Sequence, residues 1–276
     1  MKKARFYGTI KVLFSTVCFL LSLNAVAQEK PDKPGASAQE LADKLANPVA
    51  SLISVPFQNN LNYGIGPFNG SKYTVNFQPV IPFKISDNLN LITRYIIPIV
   101  DQRDITGENT HQFGLSDATI TAFFAPKAKG IIYGIGPAFL VPIATDKVLG
   151  TEKFGIGPSV LLMHQGKGLS VGFIANQIWS VAGNDNRADV NQFYTQIFFS
   201  HSYKSGANLG INAEITQNWE GNTTAISLNP SIGAVSKLGS QVIQFSLSPL
   251  IPIVGPRESR PDWGLRVILS FVFPGK

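Results

Sequence analysis

From residue 50 to the C-terminus, apolar and polar residues alternate with a period of two. The last run shows it most plainly. Trp263, Leu265, Val267, Leu269, Phe271 and Phe273 occupy one parity, and Gly264, Arg266, Ile268, Ser270 and Val272 the other. Successive side chains of a strand point to opposite faces, so this run predicts a strand with one wholly apolar face. Aromatic residues at both ends of that face, with about ten residues between boundaries, fit a transmembrane β-strand. A half-buried strand of a soluble sheet fits this segment equally well, so the rest of the chain has to decide.

The alternation divides the chain into twelve strand-length runs, over 51–63, 73–85, 89–100, 117–126, 131–143, 153–165, 169–182, 192–203, 207–219, 223–235, 241–253 and 263–273. Short connections rich in Gly, Asn, Asp and Ser, at 86–88, 127–130, 166–168, 204–206 and 237–240, suit tight hairpins. They alternate with mostly longer connections at 64–72, 101–116, 144–152, 183–191, 220–222 and 254–262. An even strand number with alternating short and long connections predicts an all-β fold, an antiparallel transmembrane β-barrel of about twelve strands in the outer membrane. On this reading the short turns and both termini are periplasmic.

Separating the runs by parity gives an oily outer face and a polar inner one. The inner set includes Asn76, Gln78, Arg94, Asp117, Thr119, Asn176, Tyr194, Gln196, Asn212, Glu214, Gln244 and Arg266. A charge facing lipid at mid-depth costs about 2–4 kcal/mol, which directs Arg94, Glu214 and Arg266 inward. The expected interior is polar, with charges of both signs that either line a narrow pore or pair and fill it. Twelve strands fall between barrels too small for a channel and porins wide enough for an aqueous one.

Three copies of an aromatic-Gly-Ile-Gly-Pro motif begin at Tyr63, Tyr133 and Phe154, and Pro98, Pro142 and Pro252 each sit in an Ile/Val-Pro-Ile triplet before a connection. Proline cannot donate to a ladder and glycine weakens a strand, so these positions should mark bends or bulges.

The N-terminus changes the charge balance. Lys2, Lys3 and Arg5 precede an apolar run over 12–23 and then Ala25-Val26-Ala27, the pattern of a secretory signal over 1–27. The signal contains Cys18, and no cysteine follows, so cysteine nucleophiles and thiolate metal sites are excluded. It also holds four of the 23 Lys and Arg and none of the 17 Asp and Glu, leaving a net charge of +2, too small to argue for nucleic acid. Residues 28–49 form a polar leader with a short helix predicted over 39–46, which has room in the periplasm, on the rim or in the lumen; the barrel follows over 50–276. No later apolar run approaches the roughly twenty residues of a spanning helix. Charged residues are only 14% of the chain, against about 25% in typical soluble domains.

Candidate chemistry is sparse. A lipolytic barrel needs a serine beside a histidine base, and only His201-Ser202 places them together. Adjacent strand residues face opposite ways, which sets His201 toward lipid and Ser202 inward. Asp101, Asp104, Glu108 and His111 crowd the longest outer connection and Asp185, Asn186 and Asp189 another, but neither has the spacing of a calcium loop. Local pairing of Arg187 with Asp189, or pairing with an acidic outer loop, is the plainer expectation. No catalytic residue, metal or cofactor is expected.

Several stretches resemble one family, the outer-membrane barrels named for the MetA pathway of phenol degradation, often labelled "transporter" or "neuromedin U". They are Asn47-Pro48-Val49-Ala50-Ser51-Leu52-Ile53-Ser54, Ile178-Trp179-Ser180-Val181-Ala182-Gly183, Arg187-Ala188-Asp189-Val190-Asn191-Gln192 and Pro261-Asp262-Trp263-Gly264-Leu265-Arg266. The resemblance implies an outer-membrane barrel passing small molecules, hydrophobic or aromatic ones included, by passive diffusion, with lipid and the solute as partners. It brings no catalytic residues. A closed structural or adhesion-type barrel with a filled lumen is the alternative, and a lipid-modifying enzyme a weaker one. The last strand is the segment that barrel-insertion machinery would engage, although Pro274-Gly275-Lys276 follow its terminal aromatic Phe273. Where the family leads one to expect an aromatic-rich eleventh strand, this chain has Ser246-Leu247-Ser248-Pro249-Leu250-Ile251-Pro252.

Overall fold

A computed structural model describes residues 52–127, 131–239 and 241–274. Fourteen strands are present among them: β1 (Leu52–Ile65), β2 (Gly70–Phe77), β3 (Val80–Lys84), β4 (Leu89–Arg103), β5 (His111–Leu115), β6 (Ala118–Pro126), β7 (Ile131–Val141), β8 (Lys153–Gly166), β9 (Leu169–Gly183), β10 (Asn191–Ser202), β11 (Ala207–Asn218), β12 (Thr223–Leu238), β13 (Gln241–Val254) and β14 (Trp263–Pro274). All belong to one antiparallel sheet, and β1 pairs with β14 from Leu52↔Pro274 to Tyr63↔Trp263, closing it into a barrel. Closure removes both sheet edges and satisfies the backbone without water, as a lipid-spanning sheet requires. The signal and the helix expected over 39–46 lie outside the described residues.

The fourteen segments make twelve crossings. β2 and β3 are one crossing interrupted at Gln78-Pro79, since each pairs with β1 on one side and β4 on the other. Proline removes the ladder donor there, which the even alternation of 73–85 had concealed. β5 and β6 form another crossing along β4, interrupted at Ser116-Asp117. The connection expected over 101–116 is therefore largely hairpin, with β4 and β5 paired from Ile99↔Leu115 to Arg103↔His111. At the opposite end Lys167 and Gly168 both have positive φ, 52° and 80°, and turn β8 into β9 with only two residues, the tight geometry that matches strand twist.

The outer face is apolar, and its aromatics mark two boundaries. Trp179, Trp219 and Trp263 are all exposed at the end carrying the longer connections, with Tyr73 and Phe113, and Trp263 stacks on Tyr63 at 5.0 Å. Phe124, Tyr133, Tyr203 and Phe273 are exposed at the short-turn end. Amphipathic rings favour the membrane–water interface, so the two belts delimit the lipid-facing zone.

The three repeated motifs take two different roles. In the first, Gly64 (φ 70°) lies at the β1–β2 bulge and Gly66 (φ 62°) in the following turn. The other two lie inside β7 and β8, where Pro137 and Pro158 face each other. There the β6–β7 ladder lacks the two pairs between Thr121↔Ala138 and Phe124↔Ile135, and β8–β9 lacks those between Ile156↔Trp179 and Ser159↔Asn176. Glycine is needed at these gaps: a Cβ on Gly136 would meet the Ala122 carbonyl oxygen at 1.8 Å, and one on Gly157 the Gln177 oxygen at 1.8 Å. A comparable gap between β12 and β13 surrounds Pro230 and Pro249. The Ser246–Pro252 stretch nevertheless forms a strand, paired with β14 up to Leu250↔Gly264.

The main departure from expectation is inside. Ile92, Phe123, Ala125, Leu161 and Ile174 form a buried apolar cluster, with Val80, Ile132 and Phe198 packed against it. Each shares the inward parity of a polar residue nearer the long-connection end, so the cluster fills the lumen toward the short turns. On this side of the wall the interior is polar only toward the long connections, while Ser170, Ser202, Asn229 and Ser270 remain buried polar groups lower in the barrel. Gly134 makes room for this plug, since the Phe123 Cβ lies 3.1 Å from where its own would stand.

Candidate lumen site

Above the plug lies a cavity of about 880 Å³ bounded by inward side chains and two inturned connections. Of the twelve residues expected inside, ten line it: Asn76, Gln78, Arg94, Asp117, Thr119, Asn176, Tyr194, Gln196, Glu214 and Arg266. Asn212 and Gln244 do not. Asn212 pairs in register with Phe198 of the plug and with fully buried Asn229, and Gln244 pairs with Val235 and Ser270 farther toward the short turns. The polar floor follows from register. Arg94↔Thr121 sits one inward step above Ile92↔Phe123, and Asn176 stands one step above Ile174, so the change from polar to apolar happens at one level around this wall.

The strongest contact in the cavity is bidentate. Arg266 Nη1 and Nη2 donate to Glu214 Oε1 and Oε2 at 2.6 and 3.2 Å, and its Nε donates to Asn60 Oδ1 at 2.7 Å. The planar guanidinium thereby ties β14 to β11, with two strands between them, and to adjacent β1. Arg94 is held far less. Its Nη2 has one long contact, 3.4 Å, to the neutral Gln78 Oε1. Thr121, 2% exposed, has no hydrogen-bond partner for its hydroxyl among the described residues.

Two connections form the upper wall. Ser116-Asp117, the break between β5 and β6, holds the 142–152 connection: Thr151 N–H and hydroxyl each donate to Asp117 Oδ2 at 2.6 Å, Ala144 N–H donates to Oδ1 at 3.3 Å, and Ser116 Oγ donates to Leu149 O at 2.5 Å. Asp117 is thus an anchor as well as a wall residue. Arg187, from the 184–190 connection, donates to the carbonyls of Lys147 (2.9 Å), Gly150 and Thr151 (3.4 Å), stapling the two connections together.

Arg187 and Asp189 do not pair locally. Asp189 Oδ1 accepts from Lys153 Nζ at 2.9 Å and from Ser180 Oγ at 3.1 Å. Hydrogen bonding from Lys153 and Ser180 and the ammonium charge hold the Asp189 carboxyl below the usual carboxylate range.

Parity could not reveal Ile96, Leu140 and Ile178 as cavity-lining residues, because they are apolar residues on the inward parity. Val148–Thr151 and Asn186–Val190, which also line it, belong to connections without periodicity.

The acidic connection does not gather into a metal site. Asp101 Oδ1 lies 2.9 Å from His111 Nε2, Asp104 accepts from Asn109 N–H at 2.7 Å, and no group of three metal-ligating residues occurs among the described residues. On β10, Ser202 is buried while His201 shares the parity of exposed Ile197 and Phe199 and packs edge-on against Tyr203 at 4.7 Å.

No protein-family model matches this chain, and no curated protein sequence does. Among solved structures it is similar to an outer membrane channel from Pseudomonas putida F1, with a TM-score of 0.62 and 14% identity over 80% of this chain and 94% of that one. Looser likenesses include outer membrane phospholipase A from Escherichia coli (TM-score 0.43, 9% identity, 87% of this chain and 98% of that one) and the CymD monoaromatic hydrocarbon channel (0.40, 7%, 80% and 87%). The first likeness establishes the outer-membrane barrel fold. The other two are too distant to say anything of function.

Proposed function

We propose that this chain is an outer-membrane channel of the MetA-pathway type, passing small molecules with apolar parts by diffusion, with both termini periplasmic. The observation that carries the reading is the division of one lumen into a polar cavity and an apolar constriction. A solute entering between the long connections meets hydrogen-bonding groups first and must then slip past Phe123, Ile92, Leu161 and Ile174. Apolar constrictions shed water and so resist small ions, while apolar molecules can contact their walls favourably. A barrel with that filter would favour uncharged or partly apolar solutes over bulk electrolyte. The likeness in fold to the channel from Pseudomonas putida F1 supports this reading.

The same plug favours a second reading, a closed structural barrel. Planar-bilayer recording and vesicle solute uptake with the folded protein, with and without residues 28–47, separate the two. Uptake of phenol-sized solutes with small ionic conductance fits the channel; absence of both, from protein that still shows heat-modifiable migration, overturns it in favour of the closed barrel.

A further inference from the structure

Among the described residues, the cavity floor contains a cation that makes no hydrogen bond to a carboxylate. Each carboxylate around the cavity is already engaged: both Glu214 oxygens by Arg266, Asp117 by the Ala144 and Thr151 N–H groups and the Thr151 hydroxyl, and Asp189 by Lys153 and Ser180. Arg94 has only its long contact to Gln78, although it lies within electrostatic reach of Glu214 and Tyr194. A guanidinium presents five donors in a fork that matches a carboxylate, so most of its capacity is unused. The register neighbour Thr121 is 2% exposed and its hydroxyl has no partner, and it lines the same cavity. A buried hydroxyl left without a partner is unfavourable, and a ligand oxygen would satisfy it. Tyr194, whose ring stands beside Asn176 in register, adds a phenolic donor to the lining. Ile96, Leu140 and Ile178 supply apolar surface above this floor, and Ile92 and Phe123 lie directly beneath it.

We propose that Arg94, Thr121 and Tyr194 form a binding site for the carboxylate of a small organic acid whose apolar body rests on Ile96, Leu140 and Ile178. The site rests on the channel reading, as the place where a solute pauses before the plug. Fixed by the free guanidinium, the acid group marks one end of the ligand, and the apolar walls accept a ring or short alkyl chain at the other. Lys72, on the inward parity of β2 and in no ion pair among the described residues, adds positive charge nearer the long-connection end.

Benzoate and its neutral counterpart benzamide test the site by calorimetric titration of the folded full-length protein in detergent. The expected result is benzoate binding at least about tenfold tighter than benzamide, the difference that charge-assisted hydrogen bonds supply. Arg94→Gln should abolish that preference, Arg94→Lys should keep part of it, and Thr121→Val should weaken benzoate several-fold, each with unaltered heat-modifiable migration. Equal affinity for the two ligands, or a preference that survives Arg94→Gln, overturns the site. Bilayer recording keeps the two readings apart: solute uptake without a benzoate preference removes only the site, whereas a preference in a barrel that passes nothing removes only the channel.

Discussion

Arg266 on β14 and Glu214 on β11 grip each other through two parallel N–H···O bonds, with side chains only 10% and 20% exposed. Two strands separate them around the barrel, so the pair acts as a brace across a chord of the lumen and not as a link between neighbours. Removing one partner strands a buried charge. Glu214→Gln should lower stability in lipid vesicles by about 3 kcal/mol, read from urea unfolding, while replacing both residues with methionine should cost much less. A single substitution no more harmful than the double would show that the pair carries no coupling.

The Lys153–Asp189 contact should make the upper wall acid-sensitive. Because the Asp189 carboxyl is held below its usual range in the folded protein, its contribution is present above the unfolded value near pH 4 and is lost as pH falls through the folded one. Hydrogen-exchange protection in 142–152 and 184–190, taken relative to the intrinsic rate at each pH, should therefore fall below about pH 4 and stay flat between pH 5 and 8. Asp189→Asn should reproduce the acidic pattern at neutral pH. Unchanged exchange in that variant would show the contact does not hold the connections.

Gly157→Ala tests the ladder gaps. The new methyl group would overlap the Gln177 carbonyl oxygen, a backbone atom that can move only with its strand. The substitution should cost about 1–3 kcal/mol, the range for overpacking, in the same unfolding assay. A neutral outcome would mean that β8 and β9 separate freely at this level.

Phe123 and Phe124 are chain neighbours on opposite faces of β6, one 1% exposed in the lumen and the other 45% exposed outside. Phe123→Ala should open the plug and raise both ionic conductance and solute uptake, whereas Phe124→Ala should leave them unchanged. If the first substitution leaves both quantities unchanged, the constriction lies elsewhere.

The barrel was legible because its alternation is nearly unbroken. Parity alone placed Arg94, Glu214 and Arg266 inside, and the spacing of turns set the number of crossings. What stayed hidden did so for physical reasons that differ from feature to feature. Alternation separates oily from polar faces, so inward residues that are themselves oily, such as Ile92, Phe123 and Leu161, read as noise within the polar parity. The interruption at Gln78-Pro79 kept the same parity on both sides and left no trace in the pattern. Arg187 and Asp117 act through backbone carbonyls and N–H groups of the 142–152 connection, partners that no sequence pattern names. Among the cavity residues, Asp117 was placed inside, yet its role in holding Thr151 depends on a connection that returns to it across 34 positions.

The β1–β14 seam also sets a timetable. Arg266 reaches Asn60 across 206 positions of sequence, and the first strand has no partner on that side until the last one arrives. Such distant pairing is entropically expensive and slow compared with the hairpins between, so the barrel can be nearly complete and still open. During that interval β1 presents a row of unsatisfied donors and acceptors. Whatever escorts the chain to its membrane must shelter that row until the twelve residues of β14 have been delivered.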